Sequence, residues 1–293
     1  MKKEYLYMGT TILLWGLSAT VSKLFFSGLN TYYILAMTGV FSWLMLLAGT
    51  FLTGTIKELK KVSLKTMALM VAVGSLGVFF CNYFYQKGIS LLPAQQAFVI
   101  NYLWPTFVII FSVPILHEKL TVTKLFAILL AFLGVVCVAT NGNISSLFGG
   151  ALHGILMSVL GAVFYGLYSP LNKRFDYDKE LALMLTYFFT TILAFVMTAF
   201  DHGMVMPTLR QFFGIVIFGA FINGIGYLTF AKAMQIGNTA VMSNLSYLTP
   251  VVSLFVTHFV LGDEITFYSI IGLVLILMGV VIQILNSKEK ERV

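Results

Sequence analysis

Charge is scarce in this sequence. Its 293 residues carry 18 basic and 11 acidic side chains, 10% of the chain, against 59% hydrophobic residues. A soluble fold of this length needs a charged surface that this composition does not supply. A mean hydropathy of +0.94 and apolar blocks close to span length point instead to a polytopic membrane protein with no room for a sizeable soluble domain. Cysteine is nearly absent as well. Cys81 and Cys137 both sit inside apolar blocks, where a disulfide is not expected, and neither has a metal-ligand neighbour at zinc-like spacing. No metal and no cofactor are expected. The net charge of +7 does not indicate nucleic acid, because the basic residues flank apolar blocks as orientation signals. "NIS" at Asn143 fits the glycosylation pattern, but so short a motif also arises by chance. The first apolar block follows Lys2 and Lys3. It lacks an obvious A-x-A cleavage site and exceeds a typical h-region, so it reads as a retained first span.

What is present organises into ten apolar spans, at roughly 5–25, 32–53, 67–87, 93–115, 122–140, 150–172, 181–200, 209–232, 239–261 and 267–286. With a cytoplasmic N-terminus, fifteen of the 18 basic residues fall on the inside, and only Lys23, Lys87 and Arg210 fall outside or at outer ends. That asymmetry places both termini in the cytoplasm and supports an even span count, since one missed span would reverse every later loop.

The second half echoes the first. At an offset of 145, "NYLWP" (Asn101 to Pro105) lies over "SYLTP" (Ser246 to Pro250) and "LHEKLT" over "LGDEIT". Gly134 falls over Gly279 and Lys87 over Lys232. The expected division is 1–145 and 146–293, five spans each. An odd number of spans per copy requires the two copies to cross the membrane in opposite directions. The expected architecture is therefore all-α, ten helices in two inverted five-helix repeats, the arrangement of secondary transporters with a midplane site at the repeat interface.

Proline is rare, six in all, which makes its mid-span placement informative. Pro105 and Pro250 hold equivalent positions, and each should kink its helix and free backbone carbonyls near Asn101 and Ser246. In lipid those carbonyls need partners, and a polar cavity supplies them. Asn101 and Trp104 are three apart on one helix face, with Tyr102 about a quarter turn away. Asn244 and Tyr247 form a similar pair. An amide in a span also serves as helix–helix glue, and most span-end aromatics, such as Tyr5, Tyr7, Tyr32 and Tyr33, belong to an interfacial belt. Tyr102 and Trp104 lie too deep for that belt and suit a cavity for an organic solute with apolar and polar parts. The candidate solute-binding set is Trp15, Tyr83, Asn101, Tyr102, Trp104, Tyr227, Asn244 and Tyr247, with Pro105 and Pro250 as kinks. Asn82, Tyr85, Tyr165, Tyr168 and Asn223 are further candidates for which packing is the stronger explanation.

The last absence is charge at mid-depth. No Asp, Glu, Lys or Arg occupies the centre of any assigned span. Such charges are costly and are usually kept for ion relays or counter-ions. Their absence argues against a carboxylate proton relay and against a permanently charged solute, and it favours an uncharged or zwitterionic one. His258, near the outer end of its span, reads as a packed or interfacial histidine rather than a proton carrier.

With "NYLWP", "TFVIIFSV" and "SYLTPVVS" in view, the chain resembles the drug/metabolite transporter superfamily, EamA-like branch, over nearly its whole length. Within that branch it is similar to the aromatic amino acid exporters. The resemblance implies ten spans in two inverted repeats with cytoplasmic termini. It also implies that the Tyr and Trp of NYLWP, here Tyr102 and Trp104, face a central cavity. The family's "G-E-x-L-T" element appears altered, as "HEKLT" and "GDEIT", and position 96, acidic in some relatives, is Gln96. The expected function is a non-enzymatic carrier of the plasma (inner) membrane that exports amino acids or related zwitterionic metabolites by alternating access. Efflux of drugs or other metabolites on the same fold is the alternative, and a non-transporting receptor or scaffold is the remote one. The partners implied are a small-molecule solute and the lipid bilayer. No oligomeric state is specified, and a monomer suffices.

Overall fold

A computed structural model describes residues 3–117, 121–140, 142–143, 151–236 and 245–290. Every regular element among them is helical. The helices are α1 (Lys3–Gly16), α2 (Ser18–Phe25), α3 (Thr31–Thr53), α4 (Leu64–Ser75), α5 (Cys81–Leu91), α6 (Ala94–Asn101), α7 (Trp104–Leu116), α8 (Val122–Thr140), α9 (Ala151–Arg174), α10 (Lys179–Phe200), α11 (Leu209–Val216), α12 (Gly226–Ile236), α13 (Thr249–Leu261) and α14 (Phe267–Lys290). Among the described residues, six stretches are long and apolar enough to cross a membrane: 31–53, 64–91, 94–116, 151–174, 179–200 and 209–230. The protein is a multi-pass membrane protein.

Local chemistry sets the helix ends. The Asn30 side chain accepts from the Tyr32 and Tyr33 amides at 2.8 and 3.4 Å and starts α3. Gly54, at φ 78°, ends it in the left-handed region that glycine enters without Cβ strain. Asp178 accepts from the Leu181 amide at 2.8 Å to cap α10, and Thr208 with Gln211 forms a capping box at the start of α11.

The bundle has hydroxyls and small residues inside and large apolar side chains outside. Thr38, Ser42, Thr186, Thr190, Thr198 and Thr257 are buried. Each donates to a carbonyl four residues back, as Thr186 Oγ1 does to Ala182 O at 2.7 Å. Phe51, Leu52, Phe126, Phe132 and Phe259 face outward, exposed. Helices in lipid gain little from burying apolar groups against one another, so close approach and hydrogen bonding organise the interior. One contact illustrates the approach: a Cβ at Gly134 of α8 would lie 2.5 Å from the Gly272 carbonyl of α14.

Several expected spans are not single helices. The first breaks at Leu17, between α1 and α2. A π turn, Leu76–Phe80, joins α4 to α5, and a longer one, Ile217–Ile225, joins α11 to α12. The 145-residue offset superimposes these two π turns. The expected proline kinks also take a particular form. The fourth span stops at Asn101, turns through Tyr102 and Leu103, and restarts at Trp104 with proline in the first turn. The ninth has a 3-10 turn, Ser246–Leu248, before α13 restarts with Pro250 in its first turn. Proline at a helix start loses no hydrogen bond, because that N–H has no partner anyway. Each proline therefore opens a new helix instead of bending a continuous one.

Candidate functional site

The irregular backbone surrounds one cavity. It holds about 620 Å³ of empty space, mouth included, and its walls come from both halves of the chain. Trp15 and Ser18 flank the break in the first span. Asn82 and Tyr85 follow the first π turn. Asn101, Tyr102 and Trp104 frame the α6–α7 break, and Tyr165 comes from α9. Asn223 and Tyr227 lie in and after the second π turn, and Thr249 starts α13. The 145-residue offset pairs Asn82 with Tyr227 and Trp104 with Thr249, so matched positions contribute from each half. Among the described residues, no acidic, basic or histidine side chain lines the cavity.

The aromatic wall is built from edge-on contacts, the favoured geometry for rings carrying a quadrupole. Trp15 meets Tyr227 at 5.2 Å between centroids and Trp104 meets Tyr165 at 5.0 Å. Tyr102 touches Trp104 at 5.9 Å. Its hydroxyl donates to Ser246 O at 2.6 Å, a second donor for a carbonyl of the 3-10 turn that also accepts the Thr249 backbone N–H, and ties the two interrupted helices together. Across the cavity, the Ser18 and Tyr85 hydroxyls lie 3.2 Å apart. Three buried polar atoms of the lining have no hydrogen-bond partner among the described residues, the Trp15 indole Nε1, the Asn101 amide Oδ1 and the Thr249 hydroxyl. The indole donates, the amide oxygen accepts, and the hydroxyl can do either. Asn101 Oδ1 has its place because α9 carries glycine opposite it: a Cβ at Gly161 would sit 2.7 Å away.

The irregular turns also draw on neighbouring helices. Ser42 Oγ, which also reaches Thr38 O at 2.8 Å, lies 3.0 Å from Gly219 O in the second π turn, and Thr11 Oγ1 lies 3.3 Å from Gly226 O at the start of α12.

The profile of the EamA-like transporter family matches residues 2–140 and again 152–285. The chain belongs to the EamA-like transporter family. An uncharacterized transporter of Archaeoglobus fulgidus is 26% identical over 288 residues, spanning 96% of this chain and 98% of its own. An uncharacterized transporter of Clostridium kluyveri is 23% identical, spanning 99% and 95%. The aromatic amino acid exporter YddG of Ancylobacter novellus is 26% identical over 180 residues, 60% of this chain and 62% of its own. A solved crystal structure superimposes with a TM-score of 0.71 at 21% identity, covering 98% of both chains, and so shares the fold.

In this EamA-family chain five sequence candidates meet in the cavity: Trp15, Asn101, Tyr102, Trp104 and Tyr227. Tyr102 joins Asn101 and Trp104 there, against the expected quarter-turn displacement. Its backbone, at φ −70° and ψ 8°, has left the helical region. Tyr83 is not in the lining. It stacks on Tyr32 at 4.9 Å between centroids, with Lys87 Nζ 6.0 Å from its ring. Asn244 lies outside the described residues, as does the Tyr247 side chain, although the Tyr247 backbone forms part of the 3-10 turn. His258 is exposed at the far end of α13, its Nδ1 2.9 Å from Asp263 O. Sequence reasoning did not assign Ser18 or Thr249 to the site. Ser18 stands three residues after Trp15, and Thr249 is the offset partner of Trp104, so helical spacing and the repeat held both signals.

Proposed function

We propose that the protein is a secondary transporter exporting amino acids or closely related zwitterionic metabolites across the plasma membrane. On this reading its ten spans form two inverted five-span repeats with cytoplasmic termini, and alternating access exposes the cavity to each side in turn. The carrying observation is the cavity walled by both halves of the chain: aromatic, uncharged among the described residues, and provided with an unpartnered indole donor, an unpartnered amide acceptor and an unpartnered hydroxyl. A zwitterion has zero net charge, so the low-dielectric site need not stabilise a lone ion. Its ammonium and carboxylate match Asn101 Oδ1 and Trp15 Nε1–H, while an apolar side chain suits the rings of Trp104, Tyr165 and Tyr227. Membership of a transporter family supports transport as such, and the YddG relative supports the solute class.

Proteoliposomes loaded with labelled tryptophan, phenylalanine or threonine test this. Saturable flux is expected for at least one, and Trp104→Ala should reduce it about tenfold or more, since an aromatic contact and its buried area contribute on the order of 2 kcal/mol. Absence of saturable flux, or flux unchanged in Trp104→Ala, would overturn the proposal.

A further inference from the structure

A second cavity, about 570 Å³ of empty space, lies at the end of the bundle where α2 ends and α3 begins. Its polar walls are Ser22, Lys23, Ser27, Thr31, Gln86 and Ser90. By the charge asymmetry of the loops, this is the outer end. Three basic residues were assigned there, and cations are disfavoured on that side. Two of them lie over rings: Lys87 Nζ is 6.0 Å from the Tyr83 centroid, and the Arg210 guanidinium is 5.8 Å from that of Phe25. Lys23 alone of the three lines the cavity. Its Nζ donates to Ile89 O at 2.6 Å, and no described carboxylate lies within 4.0 Å of it. The carboxylate whose field reaches Lys23 is Asp263, and Asp263 Oδ2 already accepts from the Gln95 amide at 3.2 Å. The partly buried Lys23 ammonium thus feels Asp263 only at a distance, and an anion that reached it would gain a direct charge-assisted hydrogen bond.

A polar seam links this cavity to the central one. The Ser18–Tyr85 pair belongs to the central lining. One turn further along, Gln86 Nε2 donates to Ser22 Oγ at 3.0 Å, both side chains buried, and this second pair lines the outer cavity. The next step is Lys23 on Ile89 O. Three rungs, all between the first and third spans, lead from an uncharged chamber to a cation.

We propose that the outer cavity is an exit station where Lys23 binds the solute's carboxylate after it leaves the central cavity. The proposal rests on the export reading above and adds a residue selecting for a carboxylate. A zwitterion whose carboxylate is held only by dipoles in the centre gains a charge-assisted bond at Lys23, which favours outward passage. The Ser22–Gln86 rung must part for that passage, so its single hydrogen bond serves as the barrier between the two chambers.

The test uses full-length protein in proteoliposomes with Lys23→Met and Lys23→Arg, and two solutes, tryptophan and its amide, which lacks the carboxylate. Lys23→Met should lower tryptophan flux about tenfold, the size of one charge-assisted hydrogen bond. It should leave flux of the amide unchanged, and Lys23→Arg should restore tryptophan flux. Equal loss for both solutes, or no loss for either, overturns the proposal. If wild-type protein moves no amino acid, the export reading fails by itself. The station is then judged by indole-3-propionate, a carboxylate without an ammonium. It should raise the thermal midpoint of wild type and not of Lys23→Met, and no shift in wild type overturns the inference.

Discussion

Replacing Tyr102 with phenylalanine removes one oxygen and keeps the ring. The ring contacts with Phe98, at 5.5 Å between centroids, and with Trp104, at 5.9 Å, remain, so no packing void is created. What disappears is the donor to Ser246 O, a 2.6 Å bond between residues 144 apart, each at a helix break and each at most 5% exposed. Water cannot easily replace a donor at that depth. A net hydrogen bond contributes about 1 kcal/mol, and Ser246 O keeps the Thr249 backbone N–H as a donor, so no acceptor is stranded. An expected loss of about 1 kcal/mol corresponds to a thermal midpoint lower by roughly 2–4 °C for a chain of this size. The bond also joins the two halves at their interruptions. If it forms in this conformation and not in the alternate one, its loss shifts the balance between them by the same free energy, about fivefold. Differential scanning of detergent-purified Tyr102→Phe measures the first effect, and initial flux in each direction across proteoliposomes measures the second. Tyr5→Phe, at an exposed position, is the control. A Tyr102→Phe protein with wild-type midpoint and wild-type directional fluxes would refute the reasoning.

Two further substitutions probe the scaffold. Gly161→Ala should disturb the site without altering any lining group. Its Cβ meets Asn101 Oδ1 at 2.7 Å and Cys81 O at 3.2 Å, so overpacking of about 1–3 kcal/mol is expected, read as a lower midpoint together with reduced flux. Asp178→Ala removes the 2.8 Å cap on Leu181 N far from the cavity. It should cost about 1 kcal/mol in thermal unfolding and leave the KM for the solute unchanged.

Much of this arrangement follows from period and solvent. Charge scarcity and block length identify a membrane bundle. The three-residue spacing that pairs Asn101 with Trp104 places both in the cavity. The same spacing sorts the third span: Asn82 and Tyr85 share the cavity face, while Tyr83, one residue after Asn82, turns away onto Tyr32. Applied strictly, helical periodicity would have set Tyr83 aside. It fails at Tyr102 for the opposite reason, because no regular helix passes through that residue, and a 100° step has no meaning across a turn. The π turns left no sequence signal. Their existence depends on where hydroxyls of other helices, such as Ser42 against Gly219 O, can receive displaced carbonyls, and that is a tertiary property.

The placement of those irregularities ties structure to mechanism. A backbone carbonyl released in lipid is costly unless a hydroxyl, an amide or a cavity receives it. Helix breaks and π turns are therefore confined to where the interior is already polar, which is the cavity wall. On the proposed alternating-access reading, these sites of irregular backbone are where the halves would bend. Breaks at Leu17, Tyr102–Leu103 and Ser246–Leu248, with π turns at Leu76–Phe80 and Ile217–Ile225, ring the central cavity. A solute that bridges Trp15 and Asn101 would bear on the elements best able to bend. Its binding energy can bias the equilibrium between conformations only through contacts that differ between them, and contacts at the breaks are the ones that change when the helices re-angle. The π turns and the breaks at Tyr102–Leu103 and Ser246–Leu248 fall at matched positions in the two halves, while a continuous α9 stands at the offset position of the Leu17 break. On the proposed reading, the polarity that holds a zwitterion and the flexibility that releases it come from this one set of interruptions.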